Sequence, residues 1–252
     1  MKCSECGQLF FPGDEDYYTD SISNFDAYCG TCPEARLSNR ILRRTLKTIR
    51  RVEQLLGKKR TALKALDVGC SSGGLIRALQ SLGVEAQGVE PMPKPAQTAR
   101  GYGFTVYQGY LAELALPANA YNLITLFEVI EHLRNPLDLL SECHRLLETG
   151  GILVIRTGNT DSWTVKFMKE KWDYFSPWVG HISFFNPESM RLLAERTGFR
   201  LEKINYHSVS LFKKEDVSPA LFRAGKIMAE LLNFPSKIAG KSHEIEVYLR
   251  AG

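Results

Sequence analysis

The stretch Asp67-Val68-Gly69-Cys70-Ser71-Ser72-Gly73-Gly74 decides the fold class of this 252-residue chain. It follows a short apolar run at residues 62–66 and precedes a helical pattern at residues 75–82. An apolar strand that enters a glycine-rich loop and then a helix is typical of the first turn of a doubly wound α/β sheet. Ligands bind at this turn because the amides at the helix N-terminus point outward. We therefore expect the main ligand site at residues 67–74.

Strands and helices alternate along the rest of the chain. Asn135-Pro136 and Asn186-Pro187 are strong helix starts, since an N-cap residue precedes a proline at the first helical position. Further strand patterns lie at residues 84–90, 104–107, 121–127, 152–155, 200–208 and 243–249. The last two flank a helical pattern at 218–233, so they can pair antiparallel. The sequence predicts an α/β fold with a Rossmann-like doubly wound sheet, mostly parallel with an antiparallel edge strand.

The loop differs from the two common phosphate-binding loops. Ser71 takes the place of the second glycine of the dinucleotide fingerprint G-x-G-x-x-G, where its Cβ would crowd a pyrophosphate. The loop also lacks the Gly-Lys-Ser/Thr ending of a P-loop. Glu90 ends the second strand about 20 residues beyond the loop, where a carboxylate accepts hydrogen bonds from ribose hydroxyls. These features predict a nucleoside-like ligand with a small anionic group and no diphosphate.

Three motifs resemble the class I S-adenosylmethionine-dependent methyltransferases, most closely their ubiquinone-biosynthesis-like branch. They are Asp67-Val68-Gly69-Cys70 with Gly73, Gly88-Val89-Glu90-Pro91, and Phe127-Glu128-Val129-Ile130-Glu131-His132-Leu133. The resemblance covers residues 62–205 and implies S-adenosylmethionine as the cofactor. The cofactor-binding residues it implies are Asp67, Gly69, Cys70, Ser71, Gly73, Glu90, Pro91, Met92, Gly109, Tyr110, Leu111, Phe127 and Glu128. Tyr110 departs from the family pattern, because many relatives carry there an Asp that bonds the adenine amine.

Two cysteine pairs near the start of the chain predict a zinc ribbon. Cys3 and Cys6 form one C-x-x-C pair, and Cys29 and Cys32 form the other. Four thiolates at this spacing are typical ligands of a structural, tetrahedral Zn²⁺. A segment of about 30 residues buries too little apolar surface to fold alone, so a metal would stabilise it. Two disulfides are the alternative, and the absence of a secretory signal pattern disfavours them.

Composition divides the chain into three parts. We expect a zinc-ribbon-like segment at 1–33, a basic amphipathic helix and linker at 34–60, and the methyltransferase domain at 61–252. The formal net charge is only +4, yet residues 36–64 carry eleven Lys and Arg residues against one acid, Glu53. This basic helix admits three interpretations: a solvated face on a helix that covers the sheet, a nucleic-acid-binding surface, or an attractor for an anionic acceptor.

His181 and His132 are the candidate general bases. Methyl transfer to a hydroxyl group needs a base that removes the hydroxyl proton, ideally with a pKa near the working pH. His132 follows the fourth strand, at the sheet edge where the ligands are expected. His181 precedes a short apolar run, residues 182–185, just before a helix start. The alternative for each is a structural histidine that bonds a loop carbonyl.

The sequence leaves three functions in competition. The leading hypothesis is an S-adenosylmethionine-dependent methyltransferase that methylates oxygen on a small-molecule or glycan-type acceptor. The second is an RNA methyltransferase that binds its RNA with the zinc ribbon and the basic helix. The third is a non-catalytic scaffold. No apolar run reaches the length of a membrane span, so we expect a soluble, cytoplasmic protein. The acceptor and the oligomeric state are left open.

Overall fold

The computed structural model describes residues 1–11, 38–175, 180–212 and 217–252. Two short strands and a seven-stranded sheet make up its β-structure. The strands are β1 (Leu9–Phe10), β2 (Lys64–Val68), β3 (Glu85–Glu90), β4 (Val106–Gln108), β5 (Tyr121–Phe127), β6 (Leu147–Gly158), β7 (Ser183–Phe184), β8 (Phe199–His207) and β9 (Glu244–Ala251). The large sheet has the order β4-β3-β2-β5-β6-β9-β8. This confirms the predicted α/β fold class.

Parallel pairing joins the five strands β4, β3, β2, β5 and β6, in that order across the sheet. Strand β9 runs antiparallel to both of its neighbours, β6 and β8. The antiparallel edge that the sequence predicts is therefore present. The parallel strands end at one edge of the sheet, at Val68, Glu90, Gln108, Phe127 and Gly158. The chain order reverses beside β2, which has β3 on one side and β5 on the other. A crevice opens at such a reversal point, beyond the carboxyl ends of the strands.

Seven α-helices accompany the sheet in the described part of the chain. They are α1 (Asn39–Leu56), α2 (Gly74–Ser81), α3 (Pro93–Gly101), α4 (Pro136–Leu146), α5 (Trp163–Met168), α6 (Pro187–Arg196) and α7 (Pro219–Ile238). Both Asn-Pro start signals are confirmed. The Asn135 side chain accepts a hydrogen bond from the amide of Leu137, and Asn186 forms a capping box with Ser189. None of the described helices is both long and apolar enough to cross a membrane.

The basic helix α1 packs on the sheet. Its Thr48 and Ile49 are buried, and the Thr48 hydroxyl donates to the Glu246 carboxylate on β9 at 3.2 Å. Arg44 forms an ion pair with Glu244 at the start of β9. These contacts join α1 to the large sheet, in agreement with the first of its three interpretations.

The first eleven residues form a turn that docks beside β7. The amide of Gly7 donates to the carbonyl of Cys3 at 3.1 Å, and Asn186 donates to the carbonyl of Cys6 at 3.1 Å. β1 pairs antiparallel with β7. Within the described residues, no group of three or more His, Cys, Asp or Glu side chains is arranged to hold a metal ion. The predicted zinc site is not shown, because two of its ligands, Cys29 and Cys32, lie outside the described residues.

Candidate active site

The loop after β2 has a backbone that needs glycine. Gly69 and Gly73 have φ angles of +76° and +84°, and Ser71 between them has a φ of +48°. A Cβ atom on Gly69 would lie only 2.5 Å from Cγ2 of Val129. Left-handed backbone is costly for residues with a Cβ. The glycines therefore let the loop turn sharply and approach the segment after β5.

Glu90 holds this loop in place. Its side chain is buried at the end of β3 and accepts hydrogen bonds from the backbone amides of Ser71, at 2.8 Å, and Met92, at 2.9 Å. Hydrogen bonds from amides to a carboxylate are charge-assisted and strong. The predicted strand-end acid thus lies beside the glycine loop, with its oxygens fixed at the wall of a cavity.

The cavity has a volume of about 190 Å³ and lies at the carboxyl edge of the sheet. Its lining includes most of the residues that sequence reasoning assigns to the cofactor. Those predicted residues that line it are Gly69, Ser71, Glu90, Pro91, Met92, Gly109, Tyr110, Leu111 and Glu128. Of the two predicted bases, His132 lines the same cavity and His181 does not.

Four predicted cofactor residues lie behind the cavity wall. Gly73 is the N-cap of α2, and Phe127 packs under the Arg156 guanidinium, 3.8 Å from its ring centre. Asp67 and Cys70 are buried. None of the four is among the residues that line the cavity.

Asp67 is fixed by a neighbour on β5. Its carboxylate accepts a 2.7 Å hydrogen bond from the Thr125 hydroxyl. Burial is the main cause that raises the pKa of Asp67 to about 7. Burial likewise raises the pKa of the Cys70 thiol far above its usual range, which makes Cys70 a small core residue and not a nucleophile.

The segment after β5 carries two carboxyl groups, of which that of Glu128 belongs to a residue lining the cavity. Glu128 has a φ of +57°, and its carboxylate accepts a hydrogen bond from the Tyr174 hydroxyl. Glu131 is fully buried. Burial, together with the nearby charge of Glu128, raises the pKa of Glu131 well above its usual range. The protonated form of Glu131 is therefore favoured relative to an ordinary carboxyl group, while Glu128 lines the cavity.

His132 and His181 lie side by side, with ring centroids 4.8 Å apart. Nδ1 of His132 lies 3.1 Å from the Gly180 carbonyl oxygen, and Nδ1 of His181 lies 2.9 Å from that of Tyr174. Since a carbonyl only accepts, each Nδ1 carries a proton and each Nε2 has a lone pair in the neutral ring. Burial lowers the pKa of both rings, that of His181 to about 4. Both are thus neutral near pH 7, and His181 lies behind His132.

Trp172 and Tyr174 support the histidine pair. Their rings stack with centroids 4.8 Å apart, and the indole N–H of Trp172 donates to Nδ1 of His243 at 2.9 Å. Tyr174 also stacks on His181, with centroids 5.1 Å apart. Trp172 is fully buried, so it is a packing residue that stabilises the histidine side of the site.

Sequence reasoning missed the apolar part of the wall. The missed lining residues are Val68, Val89, Val129, Leu133, Leu139 and Gly180. Leu139 belongs to α4, the helix that begins at the Asn135-Pro136 start. Apolar residues carry no chemical motif, so their role could be read only from their position beside the glycine loop.

A family model described as a methyltransferase domain matches residues 39–204. The ubiquinone biosynthesis O-methyltransferase of Cereibacter sphaeroides is 34% identical over 103 residues, which is 38% of this chain and 42% of that protein. The enzyme of the same name from Histophilus somni is 31% identical over 110 residues, covering 39% and 46%. The matched segment therefore spans less than half of the length of these curated relatives.

Solved structures share the fold at low sequence identity. An S-adenosylmethionine-dependent methyltransferase from Archaeoglobus fulgidus is 20% identical with a TM-score of 0.56, over 82% of this chain and 94% of that one. Phosphoethanolamine N-methyltransferase 2 of Haemonchus contortus, in complex with S-adenosylmethionine, is 18% identical with a TM-score of 0.57, over 83% and 52%. These similarities support the Rossmann-like architecture.

Proposed function

Because this chain belongs to the methyltransferase-domain family and is an S-adenosylmethionine-dependent methyltransferase, we propose that it methylates an oxygen of a small-molecule or glycan-type acceptor. One observation carries the proposal. A single cavity is bounded on one side by the glycine loop and Glu90, and on the other by Glu128 and His132. The first side suits a nucleoside cofactor, and the second suits a hydroxyl group that must lose a proton.

The residues of the first side fit S-adenosylmethionine. Glu90 offers a carboxylate to ribose hydroxyls, and the negative charge of that carboxylate repels a phosphate group. The exposed backbone of Gly69 and Ser71 is free of bulky side chains, and Met92 and Leu111 offer an apolar surface to a planar base. When bound, the cofactor supplies a sulfonium methyl group that is already electrophilic. The protein therefore mainly has to orient the acceptor and exclude water.

His132 is the proposed general base at the acceptor side. Its Nδ1–H is engaged with the Gly180 carbonyl, which directs Nε2 as the proton acceptor. His181 is a positioning residue, because it packs on His132 and is held in turn by Tyr174. Glu128 accepts a hydrogen bond from Tyr174, so it links the acceptor side to the aromatic support.

The RNA alternative has less support in the described contacts. Several cations of the 36–64 region are engaged with acids of the same chain. Arg44 pairs with Glu244, and Lys58 pairs with Glu148. Arg60 also forms a bidentate pair with Glu53. These pairs reduce the number of cations that can meet a phosphate backbone.

Transfer of a labelled methyl group tests the proposed acceptor class. The purified full chain is incubated with methyl-tritiated S-adenosylmethionine and a cell extract, with and without ribonuclease. We expect label in a small-molecule or glycan fraction that resists ribonuclease and yields a methyl ether on analysis. The Glu90→Ala variant serves as the inactive control. Label recovered in RNA, or on nitrogen, would overturn the oxygen-acceptor proposal.

We further propose that Cys3, Cys6, Cys29 and Cys32 bind one structural Zn²⁺. The first pair fits, because the turn at Gly7 holds Cys3 and Cys6 close together. Backbone amides, that of Cys6 foremost, lower the pKa of the Cys3 thiol, whereas burial raises that of Cys6, so the support from the structure is the proximity of the pair.

Elemental analysis should find about one zinc per chain in the wild type and in Cys143→Ala, a variant of a buried core cysteine. Cys6→Ser should lose the metal because one of the four ligands is gone. Iron, or the same zinc content in Cys6→Ser, would contradict this assignment.

A further inference from the structure

The helix α7 presents an apolar face away from the rest of the protein. Ile227, Leu231, Phe234 and Ile238 follow a spacing of four, three and four residues, which places them on one side of the helix. Their exposed fractions lie between 62% and 74%. The opposite side holds the buried residues of the helix, Gly225 and Ser236. Among the described residues, none covers the apolar face.

This arrangement inverts the usual pattern of a surface helix. Surface helices normally turn charged and polar residues to water and apolar residues to the core. Here the residues that face the protein have small side chains or none. Gly225 lies so close to Phe212 that a Cβ atom on it would clash with the phenyl ring. The large apolar side chains face outward instead. Contiguous exposed apolar patches of this kind mark interaction surfaces.

The charges beside the apolar face are mostly positive. Arg223, Lys226 and Lys237 lie along the border next to Phe234, and Glu230 is the acid among them. Because an α-helix turns by about 100° per residue, the angular positions of these four residues around the helix axis differ by at most about a sixth of a turn. An apolar stripe with a border of Lys and Arg is typical of helices that lie in the interface of an anionic membrane.

A second copy of the chain fits this face less well. In an antiparallel two-fold pair of α7 helices, the same border of each helix would meet its own copy. Cations would then face cations along Arg223, Lys226 and Lys237, and like charges at helix contacts are destabilising. Anionic headgroups complement this border, whereas a second α7 in that arrangement does not.

The position of α7 in the fold relates this face to the active site. The helix leaves the sheet after His207 at the end of β8 and returns at Glu244, the start of β9. Glu244 is paired with both His207 and Gly158, the last residue of β6. The helix is therefore attached at the carboxyl edge of the parallel strands, where the cavity lies.

We propose that the apolar face of α7 docks on an anionic lipid surface. Ile227, Leu231, Phe234 and Ile238 enter the boundary between headgroups and acyl chains, and the three cations bind lipid phosphates. This inference goes beyond the proposed function and does not depend on which acceptor is methylated. It brings the edge of the sheet that bears the active site to the membrane surface.

Vesicle sedimentation of the full chain tests the proposal. We expect the protein to bind vesicles of phosphatidylcholine and phosphatidylglycerol (7:3) and to remain in solution with phosphatidylcholine alone. Replacing Arg223, Lys226 and Lys237 by glutamine should weaken binding on the order of 100-fold, since each cation near the surface contributes on the order of 1 kcal/mol. Added salt should weaken binding in the same direction.

The apolar contribution is tested with a matched pair of variants. Leu231→Ser combined with Phe234→Ser should abolish vesicle binding, whereas Ile41→Ser, an exposed residue of α1, should leave it unchanged. Both variants should keep the wild-type affinity for S-adenosylmethionine, which shows that they fold. Failure of the wild type to bind anionic vesicles, or equal binding by the α7 variant, would overturn the proposal.

A photo-crosslinker at position 231 identifies the occupant of the face directly. In the presence of anionic vesicles, we expect crosslinks to lipid. Crosslinks to a second copy of the chain, or to residues 12–37 of the same chain, would assign the face to protein and would also overturn the proposal.

Discussion

Replacing Glu90 with alanine is expected to weaken S-adenosylmethionine binding by on the order of 100-fold. A hydrogen bond to a charged group contributes about 1.5–3 kcal/mol, and each 1.4 kcal/mol is a tenfold change in affinity. The substitution removes the proposed acceptor for the ribose hydroxyls and also leaves the amides of Ser71 and Met92 without their carboxylate. Isothermal calorimetry with the cofactor and with its demethylated product measures the effect.

Two further variants distinguish a lost contact to the cofactor from a disordered glycine loop. Glu90→Gln keeps one carbonyl oxygen that can accept from one of the two loop amides and turns a donor toward the other, so it should lower the melting temperature and the cofactor affinity less than Glu90→Ala. Glu85→Ala alters the exposed acid at the other end of the same strand and should bind the cofactor normally. If Glu90→Ala binds the cofactor as tightly as the wild type, the ribose role of this residue is wrong.

Replacing His132 with asparagine is expected to lower kcat by about 10²–10⁴-fold, the usual contribution of a general base. Asparagine can still donate to the Gly180 carbonyl, but it lacks the Nε2 lone pair that would take the acceptor proton. The cofactor affinity should stay within about threefold of the wild type, because the change touches only the acceptor side. Steady-state kinetics with the identified acceptor and calorimetry with the cofactor give the two readouts.

The pH profile provides an independent check of this role. A base must be unprotonated to act, and burial lowers the pKa of His132 below its ordinary value. Wild-type activity should therefore be level from neutral pH down to the ordinary histidine range and fall only at lower pH. His181→Asn should lose less activity than His132→Asn, and His144→Gln, which alters the edge contact with Phe199, should lose almost none. Wild-type kcat in His132→Asn would place the base elsewhere.

The local features of the fold could be predicted because they depend on neighbours in sequence. The Asn-Pro helix starts need only the side chain of the N-cap residue and the amides of the next turn. The left-handed angles at Gly69 and Gly73 are permitted by the residue type itself. Glu90 could be placed beside the loop because a parallel β-α-β unit brings consecutive strand ends to the same edge.

The division of roles within the site could not be predicted in the same way. His132 and His181 look equivalent as sequence motifs, and the sequence favours His181 slightly. Only the packing of Tyr174 and Gly180 against the two rings decides that His132 lines the cavity and His181 lies behind it. Asp67 and Phe127 likewise belong to family motifs, but the side chain of Asp67 contacts Thr125, that of Phe127 contacts Arg156, and neither residue lines the cavity.

The amino-acid sequence by itself determined the alternating strands and helices, the glycine loop after β2 and the acid that accompanies it, since hydrophobic periodicity, capping and glycine conformation act over a few residues. The tertiary structure alone decided which side chains share the cavity wall and that the large apolar residues of α7 face outward. Those outcomes depend on which residues distant in sequence pack together, and the helical pattern of α7 cannot specify that the side with Gly225 and Ser236 meets the core.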